Sequence, residues 1–595
     1  MTDIEPNLTA VRQRLAAANC DALIVPREDE YLGEYLPAHN ERLKWISGFN
    51  GSAGMAIVLV DRAAIFVDGR YTVQVRQEVS ASDFEYHHLI DEPPLEWLLG
   101  QLPKGGRVLC DPRLHSFQWY RKAAADLSAA GMHLQTDTHN LVDQCWQGRP
   151  VAKVQPALLL DEQFSGESSI EKRERIGRTI SERGAAYALI FASDSVSWLL
   201  NIRGRDIPCL PIVQSAALLS ADGSLLLLVD PGRIPEGFAE HVGAGVSCVP
   251  EQDLDAAFSQ LSDSKVLFDA SLSNAAMALA LKQAGASLVP GPDPVLLPKA
   301  AKNVIEIEGS RQAHIRDAVA EVHFLAWLDA EVAAGRLHDE AVLADKLLSF
   351  RAQGEFFQDS SFDTISAAGA NAAMCHYNHL NTTPASLTMN SVYLVDSGAQ
   401  YCDGTTDITR TIAIGDPGTE VRKMYTLVLK GHIALATARF PAGTTGTQLD
   451  ALARQFLWQA GYDYDHGTGH GVGSFLSVHE GPQRIAKSSN SVALLPGMII
   501  SNEPGYYRDN EFGMRCENLV VVTPAGDGPD GKTMLEFETI TLVPFDNRML
   551  QVDLLTAQEL GWLNRYHQKV CETLSGKLAG ANLAWLQQAT QAVTP

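Results

Sequence analysis

Ser391-Val392-Tyr393-Leu394-Val395-Asp396-Ser397-Gly398 is a β-branched and aromatic run that ends on a carboxylate. Asp403-Gly404 then signals a hairpin turn, and a second strand is expected over 405–414 with another acid, Asp407, near its start. Two carboxylates on neighbouring strands repel if both are buried and ionised, so the pair calls for shared protons or a cation.

Three further segments look built for the same centre. His466-Gly467-Thr468-Gly469-His470-Gly471-Val472-Gly473 places two histidines four apart among four glycines, which let backbone approach closely and leave the rings unobstructed. Glu503 follows the apolar Met498-Ile499-Ile500 and is stopped by Pro504-Gly505, and Glu517 opens the strand beginning Asn518-Leu519-Val520. The candidate ligands are therefore Asp396, Asp407, His470, Glu503 and Glu517. Four carboxylates carry about four negative charges, which two divalent ions roughly 3.5–4 Å apart would balance. Oxygen-rich ligation with one imidazole favours Mn²⁺, with Zn²⁺ or Co²⁺ also compatible. A two-metal hydrolytic site is the chemistry expected.

The order of these five residues resembles that of the pita-bread metallopeptidases, the family of methionine aminopeptidase, prolidase and Xaa-Pro aminopeptidase. The words 393–401, Asp403-Gly404-Thr405-Thr406-Asp407, His466 to Gly473 and Val478-His479-Glu480-Gly481-Pro482 look like the long, three-domain Xaa-Pro aminopeptidases (aminopeptidase P) of cytosolic type. Ser47-Gly48-Phe49-Asn50-Gly51-Ser52-Ala53-Gly54 and Asp68-Gly69-Arg70-Tyr71 extend the likeness toward the start. The resemblance implies that Asp396 chelates one ion, that Asp407 and Glu517 bridge both, and that His470 and Glu503 complete the other. Glu503 is the candidate to take a proton from water. By the same likeness His376 binds substrate and donates to the developing charge or leaving nitrogen, and His479 contacts the scissile carbonyl oxygen. His466 supports the proline side of the site, and Arg70 contacts substrate. Arg515, two residues before Glu517, shares that ligand's strand face by period-two alternation and is a candidate to hold a neighbouring carboxylate.

At 595 residues the chain exceeds what one hydrophobic core holds. A formal net charge of -24 argues against nucleic acid or an anionic membrane as partner. Nine cysteines are scattered without CxxC spacing and cannot all pair, which fits a reducing compartment. The stretch Met1-Thr2-Asp3-Ile4-Glu5-Pro6 has no basic or apolar signal character, and no run reaches the length of a membrane span, so a cytoplasmic location is expected.

Taken in order, alternating helices and strands over 1–150 read as an α/β domain. Lys44-Trp45-Ile46-Ser47-Gly48 is echoed by Val196-Ser197-Trp198-Leu199-Leu200, which suggests a second, related α/β domain over 151–300. A long helix over 304–332 opens a catalytic domain at 301–545, with helical periodicity again at 340–350. His314 and His323 on the long helix read as packing residues. A helical extension fills 546–595 and serves either as a dimer contact or as packing on the catalytic domain. The fold expected is thus α/β and α+β, with two tandem creatinase-like α/β domains before a pita-bread catalytic domain. The resemblance implies a homodimer acting on peptides with proline at the second position. Two alternatives are a prolidase confined to Xaa-Pro dipeptides and a metal-free peptide-binding module of the same fold.

Overall fold

A computed structural model describes residues 4–594, so Met1 to Asp3 of the amino-terminal stretch considered above lie outside it, as does Pro595. The chain forms two compact units: 1–159, 167–208 and 212–296 make the first, and 160–166, 209–211 and 297–595 the second.

The first unit holds two six-stranded sheets. One is built from β1 (Ala22–Pro26), β2 (Met55–Leu59), β3 (Ala63–Val67), β4 (Glu85–His88), β5 (Arg107–Cys110) and β6 (His133–Thr136), in the order β4-β3-β2-β1-β5-β6. Every residue of β1 is buried, as befits a central strand covered on both faces. Leu8, Val11 and Leu15 form the apolar stripe by which the helix Glu5–Ala17 packs into that core. The other sheet comprises β7 (Tyr187–Ile190), β8 (Ser215–Ser220), β9 (Leu225–Val229), β10 (Val246–Val249), β11 (Lys265–Phe268) and β12 (Ser287–Pro290), ordered β10-β9-β8-β7-β11-β12. Its wiring repeats that of the first, strand for strand. β1–β2 and β2–β3 are antiparallel, as are β7–β8 and β8–β9, while every remaining pair in both sheets is parallel.

In the second unit the helix Val304–Ala333 starts on a capping box, with Asn303 accepting from the Glu306 backbone and Glu306 returning the bond. It is tied to the helix Glu340–Arg351 by the buried Arg351, which pairs with Asp317 at 2.8 Å and Glu321 at 2.7 Å. His314 Nδ1–H donates within the helix to Ser310 O at 2.7 Å, and His323 packs edge-on against Phe350, so both are packing residues.

Strands β13 (Ile365–Ala368), β14 (Ser391–Ser397) and β15 (Ile408–Ile414) form an antiparallel sheet in that order. The expected continuous strand over 405–414 is in fact two pieces. Gly404–Thr405 pairs with Ala399–Tyr401 in another sheet, and the chain changes sheets at Thr406-Asp407. Asp407 is left outside both ladders as a result. A six-stranded sheet follows from β16 (Arg439–Pro441), β17 (Gly469–Gly471), β18 (Glu480–Ile485), β19 (Ile499–Asn502), β22 (Asn518–Asp527) and β23 (Thr533–Thr539). Its order is β16-β23-β22-β19-β17-β18, and the hairpin β20 (Gly505–Arg508) and β21 (Phe512–Arg515) lies between β19 and β22 in the chain.

Helices Thr419–Ala436 and Gly446–Gln459 pack closely at Gly431, where a Cβ would lie 2.0 Å from Ala453 O. The carboxy-terminal segment forms two helices, Ala557–Leu574 and Gly580–Ala589, whose Leu563, Tyr566, Val570 and Leu586 join the main core of this unit. That segment therefore packs on the second unit. Arg410 on β15 completes the frame, donating to Glu517 O at 2.5 Å, Asn518 Oδ1 at 2.8 Å and Val543 O at 2.6 Å.

Candidate metal centre

The five expected ligands converge in the second unit from separate elements. Asp396 is the penultimate residue of β14, in register with Thr409 on β15. Asp407 sits at the change of sheets just before β15. His470 is the middle residue of β17, and Glu503 follows β19, its N–H donating to Thr468 O at 2.9 Å. Glu517 lies in the short break between β21 and β22.

Asp407, His470 and Glu517 each offer a ligand atom within 4.8 Å of the others. Glu503 joins them through His470, whose Nε2 stands 3.4 Å from Glu503 Oε1 and 3.5 Å from Asp407 Oδ2. Asp396 is fixed from the other side. Its Oδ2 accepts from Arg515 Nη2, while its Oδ1 is buried with no hydrogen-bond partner. The Thr409 hydroxyl donates to Glu517 Oε2 at 2.6 Å and accepts from Arg515 Nε at 2.9 Å, so one guanidinium orients both acids.

Crowding governs the electrostatics. Burial pushes Asp396 up to about 6, with Asp407 and Glu503 adding to the rise and Arg515 opposing it. Glu503 and Glu517 are raised by burial too, Glu517 far above the carboxylate range because Asp407 and Asp396 add their charges. Burial works against a charged His470, but the hydrogen-bonded Asp407 and the Glu503 charge outweigh it and raise the imidazole to about 9. Without a counterion the cluster therefore takes up protons. An orphaned carboxylate oxygen among four acids and one imidazole is a donor set that divalent cations satisfy.

The other expected residues fall as follows. His479 packs edge to face on His470, with ring centroids 4.4 Å apart. His466 Nε2 meets Tyr507 OH at 2.8 Å, and its Nδ1 stands 4.0 Å from Glu503 Oε2. His376 follows Cys375, whose carbonyl accepts from Arg515 Nη1 at 3.4 Å, so the His376 turn is moored to the guanidinium that holds Asp396. Arg70 belongs to the first compact unit, where it forks onto Asp68 at 2.8–3.0 Å and its guanidinium lies over the Tyr71 ring.

Three contributors escaped the sequence reading. Thr409 bridges Arg515 and Glu517, and its only signal is its position two residues after Asp407. Tyr507 links His466 to Arg515, which donates to its hydroxyl at 2.6 Å. Ser501 accepts from the His470 N–H at 2.9 Å and donates to Glu503 Oε1 at 3.1 Å, coupling two ligands.

Comparison with known proteins matches residues 308–524 to metallopeptidase family M24 and 533–593 to the C-terminal region of that peptidase family. Residues 8–145 and 148–306 each match the creatinase/prolidase N-terminal domain. Aminopeptidase P1 of Arabidopsis thaliana is 36% identical, with 99% of each chain covered. Human Xaa-Pro aminopeptidase 2 is 37% identical over 98% of this chain and 88% of its own. Among solved structures, the X-prolyl aminopeptidase of Caenorhabditis elegans, described as a cytosolic enzyme with a di-nuclear active site, superposes with a TM-score of 0.95. It is 32% identical, and 100% of both chains is covered. The Xaa-Pro dipeptidase of Bacillus anthracis is 26% identical with a TM-score of 0.51, and it covers 64% of this chain and 99% of its own.

Proposed function

The chain belongs to metallopeptidase family M24, with two creatinase-type N-terminal domains before the pita-bread domain, and we propose that it is a metal-dependent aminopeptidase removing the residue that stands before proline at a peptide's amino terminus. The observation that carries this reading is the convergence of four buried or half-buried carboxylates and one imidazole around the partnerless Asp396 Oδ1. Full-length likeness to aminopeptidases, against partial likeness to a dipeptidase, favours longer peptides over Xaa-Pro dipeptides as substrates.

Asp396, Asp407, His470, Glu503 and Glu517 would hold two divalent ions, with Mn²⁺ the best match to oxygen-rich ligands. Bound there, the ions supply Lewis acidity and bring the pKa of a water near neutrality. Glu503, raised by burial, is poised to accept the proton of the attacking water. His479 donates to the scissile carbonyl oxygen as negative charge develops, a contribution of ~3 kcal/mol in comparable sites. His376 serves the other end of the bond. A prolyl nitrogen carries no N–H and needs a proton to leave as an amine, which this imidazole supplies. His466, braced by Tyr507, borders the proline side. Arg515 keeps Asp396 and Glu517 oriented through its direct bond and through Thr409. Arg70 contacts the substrate outside the metal cluster.

We further propose domain divisions near 150, 300 and 545, a homodimer, and action in the cytoplasm. Among the described residues no helix is long and apolar enough to cross a membrane. The deciding experiment incubates metal-stripped protein with Arg-Pro-Pro, Arg-Pro and Arg-Ala-Ala, adding Mn²⁺, Zn²⁺ or Co²⁺ in turn. Release of arginine from Arg-Pro-Pro but not from Arg-Ala-Ala, highest with Mn²⁺, is the expected result. Cleavage of Arg-Pro alone would make the protein a dipeptidase, and no ion-dependent cleavage of any peptide would defeat the reading.

A further inference from the structure

β19 and β22 pair as far as Asn502 opposite Asn518, and the hairpin β20–β21 takes up the pairing again at Gly505 opposite Arg515. Glu503 and Glu517 both stand in the interruption between these two ladders, which Cys516 N–H crosses to Pro504 O at 3.1 Å. An imidazole from outside the sheet meets both sides of the same gap. His432, fully buried on the helix Thr419–Ala436, has its Nδ1 3.1 Å from Asn502 O and 3.2 Å from Cys516 O.

The neighbours of the ring settle which nitrogen holds the hydrogen. Arg410 can only donate, and its Nη2 reaches Asn518 Oδ1 at 2.8 Å, so the Asn518 amide turns its NH2 to His432 Nε2, 3.3 Å away. Nε2 therefore accepts, and the hydrogen sits on Nδ1, which donates to both carbonyls as one three-centre bond. Each carbonyl belongs to a rigid peptide plane whose other end is the N–H of an expected ligand, Glu503 in one case and Glu517 in the other. The Glu503 plane is pinned at that end too, its N–H donating to Thr468 O at 2.9 Å. Asn502 Nδ2 returns a bond to His432 O at 2.9 Å. Phe545 and Trp562 meet the imidazole edge-on, with centroids 5.3 and 5.9 Å away, and Trp562 comes from the carboxy-terminal helix Ala557–Leu574.

One N–H serves two carbonyls only while they keep their spacing, so a shift of either arm breaks part of the bond. We propose that His432 is a positioning residue that sets the separation of Glu503 and Glu517, and with it their fit to the paired cations, while the carboxy-terminal helix braces its ring. The role rests on the metal-centre reading, and through it on the aminopeptidase reading; ion binding is measured apart from turnover, so the two can fail separately.

The test titrates the metal-stripped full chain with Mn²⁺ by calorimetry, melts the ion-free protein, and measures kcat and KM on Arg-Pro-Pro at saturating Mn²⁺. His432→Gln carries its amide where Nε2 stood and loses the donor to the carbonyls, whereas His432→Asn keeps an N–H where Nδ1 stood. His432→Gln is expected to weaken Mn²⁺ binding at least tenfold, as when partners of metal ligands are removed, and His432→Asn to bind within threefold of the wild type. At saturating Mn²⁺ the remaining loss in His432→Gln should fall on kcat, with KM within threefold. Wild-type affinity in His432→Gln, however far its ion-free melting temperature falls, marks a bond that only joins helix to sheet and overturns the role. Equal weakening in His432→Asn overturns it as well. If neither variant folds, Trp562→Leu, which leaves the imidazole and removes its brace, decides: binding weaker by threefold or more supports the role, and wild-type affinity overturns it. No Mn²⁺ binding by the wild type defeats the metal centre and the role with it. Binding without cleavage of Arg-Pro-Pro defeats the peptidase reading alone, and the affinities then decide the role by the same criteria.

Discussion

The Thr409 hydroxyl donates to Glu517 Oε2 across 2.6 Å while accepting from Arg515 Nε at 2.9 Å. A neutral side chain thus relays the orientation of a guanidinium to an acid it does not touch. Thr409→Val keeps the shape and removes the relay, leaving a buried acceptor and donor unpaired at a cost of about 1–3 kcal/mol. Affinity for Mn²⁺, measured by calorimetric titration of the stripped protein, is expected to weaken 10–100-fold, the range found when partners of metal ligands are removed. Unchanged affinity would show that Glu517 is oriented without Thr409.

Asp407→Ala removes one of the mutually repelling acids and a proposed bridging ligand. Hydrolysis of Arg-Pro-Pro should be abolished while circular dichroism stays native. In the ion-free state the variant should melt no lower than ion-free wild type, because a buried like charge has been withdrawn. Wild-type turnover would defeat the two-metal assignment.

Chelation should abolish activity and lower the melting temperature together. Ligand binding to the native state alone adds RT ln(1 + [L]/Kd), so restoring Mn²⁺ at a hundredfold its Kd returns about 2.7 kcal/mol. Calorimetry of the stripped and reloaded protein checks it, and a melting temperature indifferent to the ion would show that the folded chain does not bind it preferentially.

His567 lies in the core, where its Nε2 accepts from the Phe545 N–H at 3.1 Å. Burial, with the Arg410 charge adding, lowers its pKa to about 4. Above pH ~6.5, the ordinary histidine value, neither the folded nor the unfolded state holds this proton. Between about 6.5 and 4 only the unfolded chain takes it up, so stability falls as the pH drops, by up to about 1.4 kcal/mol per pH unit. His567→Gln keeps an acceptor for Phe545 and cannot titrate. Its unfolding free energy, followed by denaturant titration from pH 6.5 to 4.5, should decline with a slope shallower by about that amount. Identical slopes would mean that His567 is protonated in the fold.

The parts of this molecule that were legible in sequence are those decided locally. The run before Asp396 reads as a strand because its side chains are β-branched and aromatic, and 304–332 reads as a helix because its apolar residues recur at helical spacing. The five convergent residues were visible because each is a polar group near an expected strand end or in a glycine loop. What depends on pairing at a distance was not. Thr406-Asp407 lies in a Thr-rich stretch without Gly or Pro, and the one acid in it does not by itself mark a change of sheets. Thr409 meets Glu517 across 108 positions and Lys302 meets Glu480 across 178, separations over which no periodicity carries information. The echo of Trp45 in Trp198 hinted at two related domains, yet the identical strand order of their sheets appears only once the pairings are known.

The proton uptake of the ion-free acids bears on how catalytic capacity should be counted. Cations held as proposed would displace hydrogen ions from Asp396, Glu503 and Glu517, so loading would be tighter on the alkaline side and would release measurable acid. A batch prepared in acidic buffer would be sound polypeptide with few competent molecules. Turnover per mole of polypeptide would then report occupancy, and only normalisation to the stoichiometry of bound ions gives the intrinsic rate.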